Sequence, residues 1–347
     1  MSSISSRASG RAALSCAFAP SRDLPSYAQL AEKLGYERVW VYDSPALYGD
    51  IWLALGRVAE ATSTIGLGTG VAVPSLRHPM VTASAIASIE DLAPGRLVAA
   101  FGTGFTARRA MGKAPMRWAD LATYVTQLRA LLAGEVVEVD GAACQMLHSP
   151  GFGPPRPIDV PLLLAPIGPK GFAVTNELAD GVVLAQLPTE PLDERWAIRA
   201  LLTMGTILGP GDDHTTERVL DALGPSFTTG YHAVWQFSPE MVDDMPGGRD
   251  WRTRVEAERP AAERHLALHE GHLVAVTERD RPNIAAAGPA ILNVGWTGDG
   301  QTFRDRLDEA GALGITEVIV APAGSNIELE LETFAAAASG APGRATT

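Results

Sequence analysis

Residues 65–105 read IGLGTGVAVPSLRHPMVTASAIASIEDLAPGRLVAAFGTGF, and the order of patterns in this stretch decides the fold. An apolar strand ends in glycine, a Pro-bounded loop follows, then an Ala-rich helical segment and a second apolar strand that also ends in glycine. Apolar runs without polar alternation are the mark of parallel strands buried on both faces. The ends of parallel strands share one face of the sheet. Glycines at those ends let backbone approach a flat ring or an anion without an intervening side chain.

The same beat extends outward in both directions. Residues 12–19 read as a strand, Leu24–Leu34 as a helix closed by Gly35, and Arg38–Tyr42 as a strand that Asp43, Ser44 and Pro45 end abruptly. Asp50 starts a helix through Ala61, with Ile51, Leu55 and Val58 on one face. Beyond residue 105, Leu121, Val125, Leu128 and Leu132 give helical spacing over Met116–Ala133, closed by Gly134. VVEVDGAACQML reads as a hairpin turning at Asp140-Gly141. Five prolines between Pro150 and Pro161 make a stiff connection into a strand at Val160–Ala165. A loop at Gly168, a helix from Pro169 and a strand at Val182–Leu187 repeat the unit. A helix is expected at Leu192–Leu201, with TMGTILGPG as the seventh strand. The alternation lapses between about 215 and 290, a charged, Trp-bearing and mostly helical stretch. TGDGQTFRDRLDEAGALG then reads as a capped helix, ITEVIVAP as an eighth buried strand and Leu329–Ala338 as a closing helix.

Eight buried strands, mostly followed by helices, predict a (β/α)8 TIM barrel of class α/β, against a doubly wound sheet as the rival. The expected organisation is a single domain over 12–338 with a helical insertion at about 215–290, and disorder at 1–11 and 339–347. The 347 residues are 46% hydrophobic and 20% charged, enough for a large core. A net charge of -12 argues against a nucleic-acid groove or an anionic membrane surface. No apolar run reaches the ~18 residues that span a bilayer. Two cysteines, Cys16 and Cys144, make neither a disulfide framework nor a metal spacing, so the cytoplasm is expected. AALSCAFAP imitates a leader peptide, yet it is also the only source of a first strand.

The residues offer several sites. Ala165-Pro166-Ile167-Gly168-Pro169-Lys170 ends a strand and opens a helix, where free N–H groups and the positive end of the helix dipole attract phosphate. Lys170 adds charge there or is solvated, and Gln186 lies at the end of the adjacent strand. Asp43 binds a ring or substrate, or caps the following helix. HLALHEGHL puts His265, His269 and His272 on one face if it is helical, but HEGH is not H-E-x-x-H. A solvated or substrate-facing helix is favoured over a metal site, with His272 available to a substrate pocket. The glycines do not match the G-x-G-x-x-G of a dinucleotide fold.

LGYERVWVYDS, IGLGTGVAVPSLRHPMV, DLAPGRLVAAFGTG, PPRPIDVPLLLAPIGPKGFAVTNELADGVVL and GITEVIVAP stand in order along the chain. Together they resemble the luciferase-like family of flavin- and deazaflavin-dependent oxidoreductases, most closely its methylenetetrahydromethanopterin reductase branch. The resemblance implies coenzyme F420, with FMN as the alternative, held at the C-terminal ends of the strands. It implies a cis peptide at Gly70-Val71 behind the ring, Val73 alongside it where relatives often carry Asn or Thr, and Gly102-Thr103-Gly104 at its edge. Asp43, Ser44, Tyr48 and His272 are the candidate catalytic residues. Relatives that oxidise sugars or alcohols have His and Trp where Ser44 and Tyr48 stand, and an acid in place of Phe105. Neither Ser44 nor Phe105 can take a proton near neutral pH. The expected activity is therefore hydride transfer to a C=C or C=N of a small organic substrate. The alternatives are a two-component FMN monooxygenase and a non-catalytic flavin-binding barrel. A homodimer through outer helices is a further implication, and His78 is read as a helix-start residue.

Overall fold

A computed structural model describes residues 10–341. Ala13–Phe18 forms β1, Leu24–Leu34 α1, Arg38–Val41 β2, Ile51–Ala61 α2, Gly66–Thr69 β3, Pro79–Leu92 α3 and Leu97–Phe101 β4. Local chemistry sets the boundaries. Gly35 takes the left-handed conformation that ends α1, Asp50 accepts from the Trp52 and Leu53 amides to start α2, and His78 Nδ1 accepts from the Met80 amide to start α3.

After β4 come α4 (Phe105–Arg109), α5 (Trp118–Ala133) and an antiparallel hairpin, β5 (Val137–Val139) and β6 (Ala142–Cys144). Its turn residues Asp140 and Gly141 both have positive φ, 52° and 79°, which suits a two-residue hairpin turn. The barrel resumes with β7 (Leu162–Leu164), α6 (Gly168–Leu178), β8 (Gly181–Leu184) and β9 (Ile198–Thr203). The insertion then supplies α7 (Glu217–Phe237), α8 (Gly248–Glu258), α9 (Arg264–Leu268) and α10 (Arg281–Ala287), before α11 (Gly300–Ala312), β10 (Glu317–Val320) and α12 (Ile327–Ser339) complete the chain.

The eight strands β1-β10-β9-β8-β7-β4-β3-β2 close into a parallel barrel, so the fold is a (β/α)8 TIM barrel. Ala13–Phe18, the run that imitates a leader, pairs with β10 on one side and β2 on the other. The barrel interior is filled by Trp40, Tyr42, Val98, Leu163, Val183 and Ile319, with Tyr48, Val71, Ala165 and Leu273 packed on top of them. A larger core lies between the strands and the outer helices. The insertion has its own apolar centre of Tyr231, Val242, Trp251, Val255 and Leu268.

Three expectations are corrected. Residues 192–201 are not a helix: Ile198–Thr203 is the seventh barrel strand, paired on both sides by β8 and β10. The helical spacing of Leu192, Trp196 and Ala200 is coincidental. Pro188 and Pro191 break the approach, and Trp196 closes on the core from an irregular turn-bearing segment. Of TMGTILGPG only Thr203 belongs to β9; the rest is a loop, in which Gly205 (φ +128°) lies so close to Trp296 and Thr297 that a side chain would collide. Finally, α9 stops at Leu268, because the chain turns through Gly271 at φ +71°. His265, His269 and His272 therefore do not share a helix face. Residues 1–9 and 342–347 of the expected disordered ends lie outside the described residues. Arg11, inside them, makes a two-point ion pair with Asp308.

Candidate active site

The C-terminal ends of β2, β3, β4 and β7 surround one mouth. Asp43, just past β2 and 3% exposed, is fully engaged. Its Oδ2 accepts from the Val73 amide at 2.9 Å and Arg77 Nη1 at 2.8 Å, and its Oδ1 from Arg77 Nη2 at 3.1 Å. The same guanidinium reaches Asp50 Oδ2 at 2.8 Å, tying the start of α2 to the loop after β3. Burial alone would lower the Arg77 pKa, but the hydrogen bonds and charges of Asp43 and Asp50 leave it raised. Asp43 thus orders the loop that carries Val71 and Val73. Neither Arg77 nor Asp50 had been picked out as its partner in the sequence.

The Gly70–Val71 peptide is cis, as the resemblance implies. The turn is locked onto its neighbours: Gly70 N donates to Val41 O, Ala72 N to Ala100 O, and Gly102 N to Ala72 O. Gly102 and Gly104 are glycines for a steric reason, since a Cβ would lie 2.7 Å from Val71 Cγ2 or from Val73 Cγ1. Thr103, between them, is buried and its carbonyl accepts from the Met116 amide. The Phe105 ring lies against Phe237 of the insertion and under the Arg109 guanidinium.

On the far side, Ala165 N donates to Phe101 O and the chain opens out. Ile167 is 64% exposed, Gly168 adopts φ +67°, and α6 begins at Gly168, followed by Pro169, with no side-chain cap. Its first N–H groups are therefore available to a ligand. Lys170 and Gln186 are exposed.

The insertion meets the mouth at Tyr48. Ser44 is buried, and its carbonyl accepts from the Leu47 and Tyr48 amides, turning the Tyr48 ring inward. The Tyr48 hydroxyl donates to the carbonyl of His272. Burial pushes the hydroxyl pKa of Tyr48 well above its ordinary value. Leu273, next in the chain, holds a left-handed backbone at φ +64° and drops its side chain onto the barrel interior. The His272 ring points away from the mouth: its Nδ1 lies 2.8 Å from Nδ1 of His232, a residue of α7 that the sequence reading passed over. His269 completes a buried group of three. Burial pushes His232 far below the ordinary imidazole range, His269 to about 4 and His272 to about 3.

Comparison with known proteins shows the family. The family model for luciferase-like monooxygenase matches residues 3–317. The chain belongs to that family. Among curated relatives of this luciferase-like chain, 5,10-methylenetetrahydromethanopterin reductase of Methanolobus tindarius is 33% identical over 177 residues, covering 48% of this chain and 50% of the relative. F420-dependent glucose-6-phosphate dehydrogenase of Beutenbergia cavernae is 34% identical over 187 residues, covering 48% and 53%. The chain spans about half the length of the curated relatives it matches. Among solved structures, the F420-dependent tetrahydromethanopterin reductase of Methanopyrus kandleri superposes with a TM-score of 0.62 at 19% identity, over 94% of this chain and 97% of that one. An F420-dependent secondary alcohol dehydrogenase reaches 0.64 at 15% identity, over 94% and 99%. At those identities the structures speak to the fold alone. No helix among the described residues is long and apolar enough to cross a membrane.

Proposed function

We propose that this luciferase-like barrel uses coenzyme F420 to reduce a C=C or C=N bond of a small organic molecule. The carrying observation is the uncapped, exposed start of α6 beside a rim of glycine and small apolar residues. The naming of F420 in the curated relatives supports this choice of cofactor. Ile167 and Gly168 would hold the phosphate through backbone N–H groups, with Lys170 and Gln186 at its margin. Gly70, Val71, Val73, Gly102, Thr103, Gly104 and Ala165 would line the ring. When bound, the deazaflavin supplies the hydride. Val71, Ala165 and Leu273 keep water from the reacting face, and Asp43 holds the Val71–Val73 loop through Arg77. Reduction is favoured over alcohol oxidation because the candidate bases among the described residues are engaged or replaced: Asp43 is paired, the Tyr48 hydroxyl donates a hydrogen bond to the His272 carbonyl, and Phe105 stands where the resemblance implies an acid.

Titration of the purified chain with F420 and with FMN, followed by fluorescence and visible spectra, tests this reading. Saturable F420 binding with oxidation of the reduced deazaflavin by enone or imine acceptors supports it. Retention of FMN with no F420 binding would overturn it in favour of a two-component monooxygenase. Cofactor affinity without turnover for any acceptor would leave a non-catalytic flavin-binding barrel. We also propose a homodimer formed through α2 and α3, on which Leu53 and Val81 are largely exposed. The reduced thiols Cys16 and Cys144 fit a cytoplasmic setting.

A further inference from the structure

We propose that His232, His269 and His272 form a binding site for one divalent transition-metal ion of the zinc class. Each ring can offer a nitrogen such that the three lie within 4.8 Å of one another, and the residues are 1%, 3% and 8% exposed. Imidazole nitrogens around tetrahedral zinc, at 2.0–2.1 Å from the metal, stand about 3.3 Å apart. The rings therefore need only a modest contraction. A neutral imidazole has one ring-nitrogen lone pair to give a metal.

The hydrogen bonding leaves the cluster incomplete without a ligand. His232 and His272 share one proton between their Nδ1 atoms, 2.8 Å apart. His232 Nε2 and His269 Nδ1 are buried with no partner, a costly state for polar nitrogen. His269 is oriented from outside by Gln236, whose Nε2 lies 3.1 Å from His269 Nε2 and whose Oε1 accepts from Arg109 at 2.7 Å. A metal-binding histidine usually gives its second ring N–H to an acceptor, whereas the Gln236 amide nitrogen is a donor. Ligation through His269 Nδ1 puts the ring proton on Nε2, which then needs an acceptor. A carboxylate at position 236 would accept it and keep the Arg109 contact.

An ion here would bridge α7 to the turn that delivers Leu273 into the mouth, and three protein ligands would leave a coordination position open. The inference stands apart from the cofactor assignment, because binding is read without F420.

The test uses the full chain without an affinity tag, stripped with chelator and titrated with Zn²⁺ by calorimetry and with Co²⁺ by visible absorption. One equivalent should bind with micromolar or tighter affinity, and Co²⁺ should give the intense bands of a tetrahedral site. His269→Ala should weaken binding by at least about a hundredfold, and Gln236→Glu, which keeps all three ligands, should tighten it by about tenfold. Absence of saturable binding to the unsubstituted chain would overturn the proposal whatever the variants do. So would binding that survives both His269→Ala and His272→Ala.

Discussion

At the residue scale, Asp43 is the position most exposed to test. Its carboxylate is buried against the Arg77 guanidinium and the Val73 amide, so Asp43→Ala leaves the Val73 amide without its acceptor and Arg77 with Asp50 alone. Such a change costs about 2–3 kcal/mol, and chemical denaturation should show it as a clear fall in midpoint. Asp43→Asn, which can still accept from Val73, should fall less. If both variants keep the parent midpoint, the ordering role given to Asp43 is wrong. The buried histidines make a second prediction. Their folded pKa values, about 4 for His269 and about 3 for His272, lie below the ordinary imidazole value of 6.5. The unfolded chain therefore binds more protons below pH 6.5, and the stability these rings contribute is complete above that value and lost as pH falls toward 4 and 3. At pH 5 the loss is on the order of 2 kcal/mol per ring. Urea midpoints measured between pH 7.5 and 5 should decline accordingly, and His269→Gln should flatten the decline. His232 was invisible in the sequence for a plain reason. It lies inside a 21-residue helix with no spacing relation to His269, and only the packing of α7 against the following turn unites them.

At the scale of elements, strand ends were legible and connections were not. Gly70, Gly102 and Gly104 stood out because a glycine repeated at the end of an apolar run has few reasons to exist, and their crowding against Val71, Val73 and Trp40 supplies one. The helix through 192–201 was misread because i, i+4 apolar spacing over so few residues also suits a strand whose inward and outward faces are both covered. The start of α6 is where element geometry makes a claim about binding. Gly168→Ala puts a side chain on a residue at φ +67°, at a cost of about 1–2 kcal/mol, and it disturbs the turn that presents the free amides. Stability should drop modestly in thermal melts, while F420 affinity, measured by fluorescence titration, should drop more than tenfold. An unchanged dissociation constant would move the phosphate site elsewhere.

For the whole molecule, the barrel could be read from sequence because eight buried runs leave few other closures, whereas assembly depends on surface. Leu53 on α2 is 69% exposed and Val81 on α3 is 55% exposed, on helices that pack side by side. Leu53→Glu with Val81→Glu should convert a dimer to a monomer in light scattering, without loss of secondary structure by circular dichroism. A parent chain that is itself monomeric would end the dimer proposal. Among the described residues, the step from β8 to β9 is the only connection between successive barrel strands with no helix in it. Residues 185–197 run as an irregular segment of bends and a turn, exposed around Glu190 and anchored by buried Trp196. The barrel thus has a seam. A single protease nick there should leave two fragments that stay clasped through the paired strands on either side. A circularly permuted gene with its new termini at that seam should still encode a closed barrel.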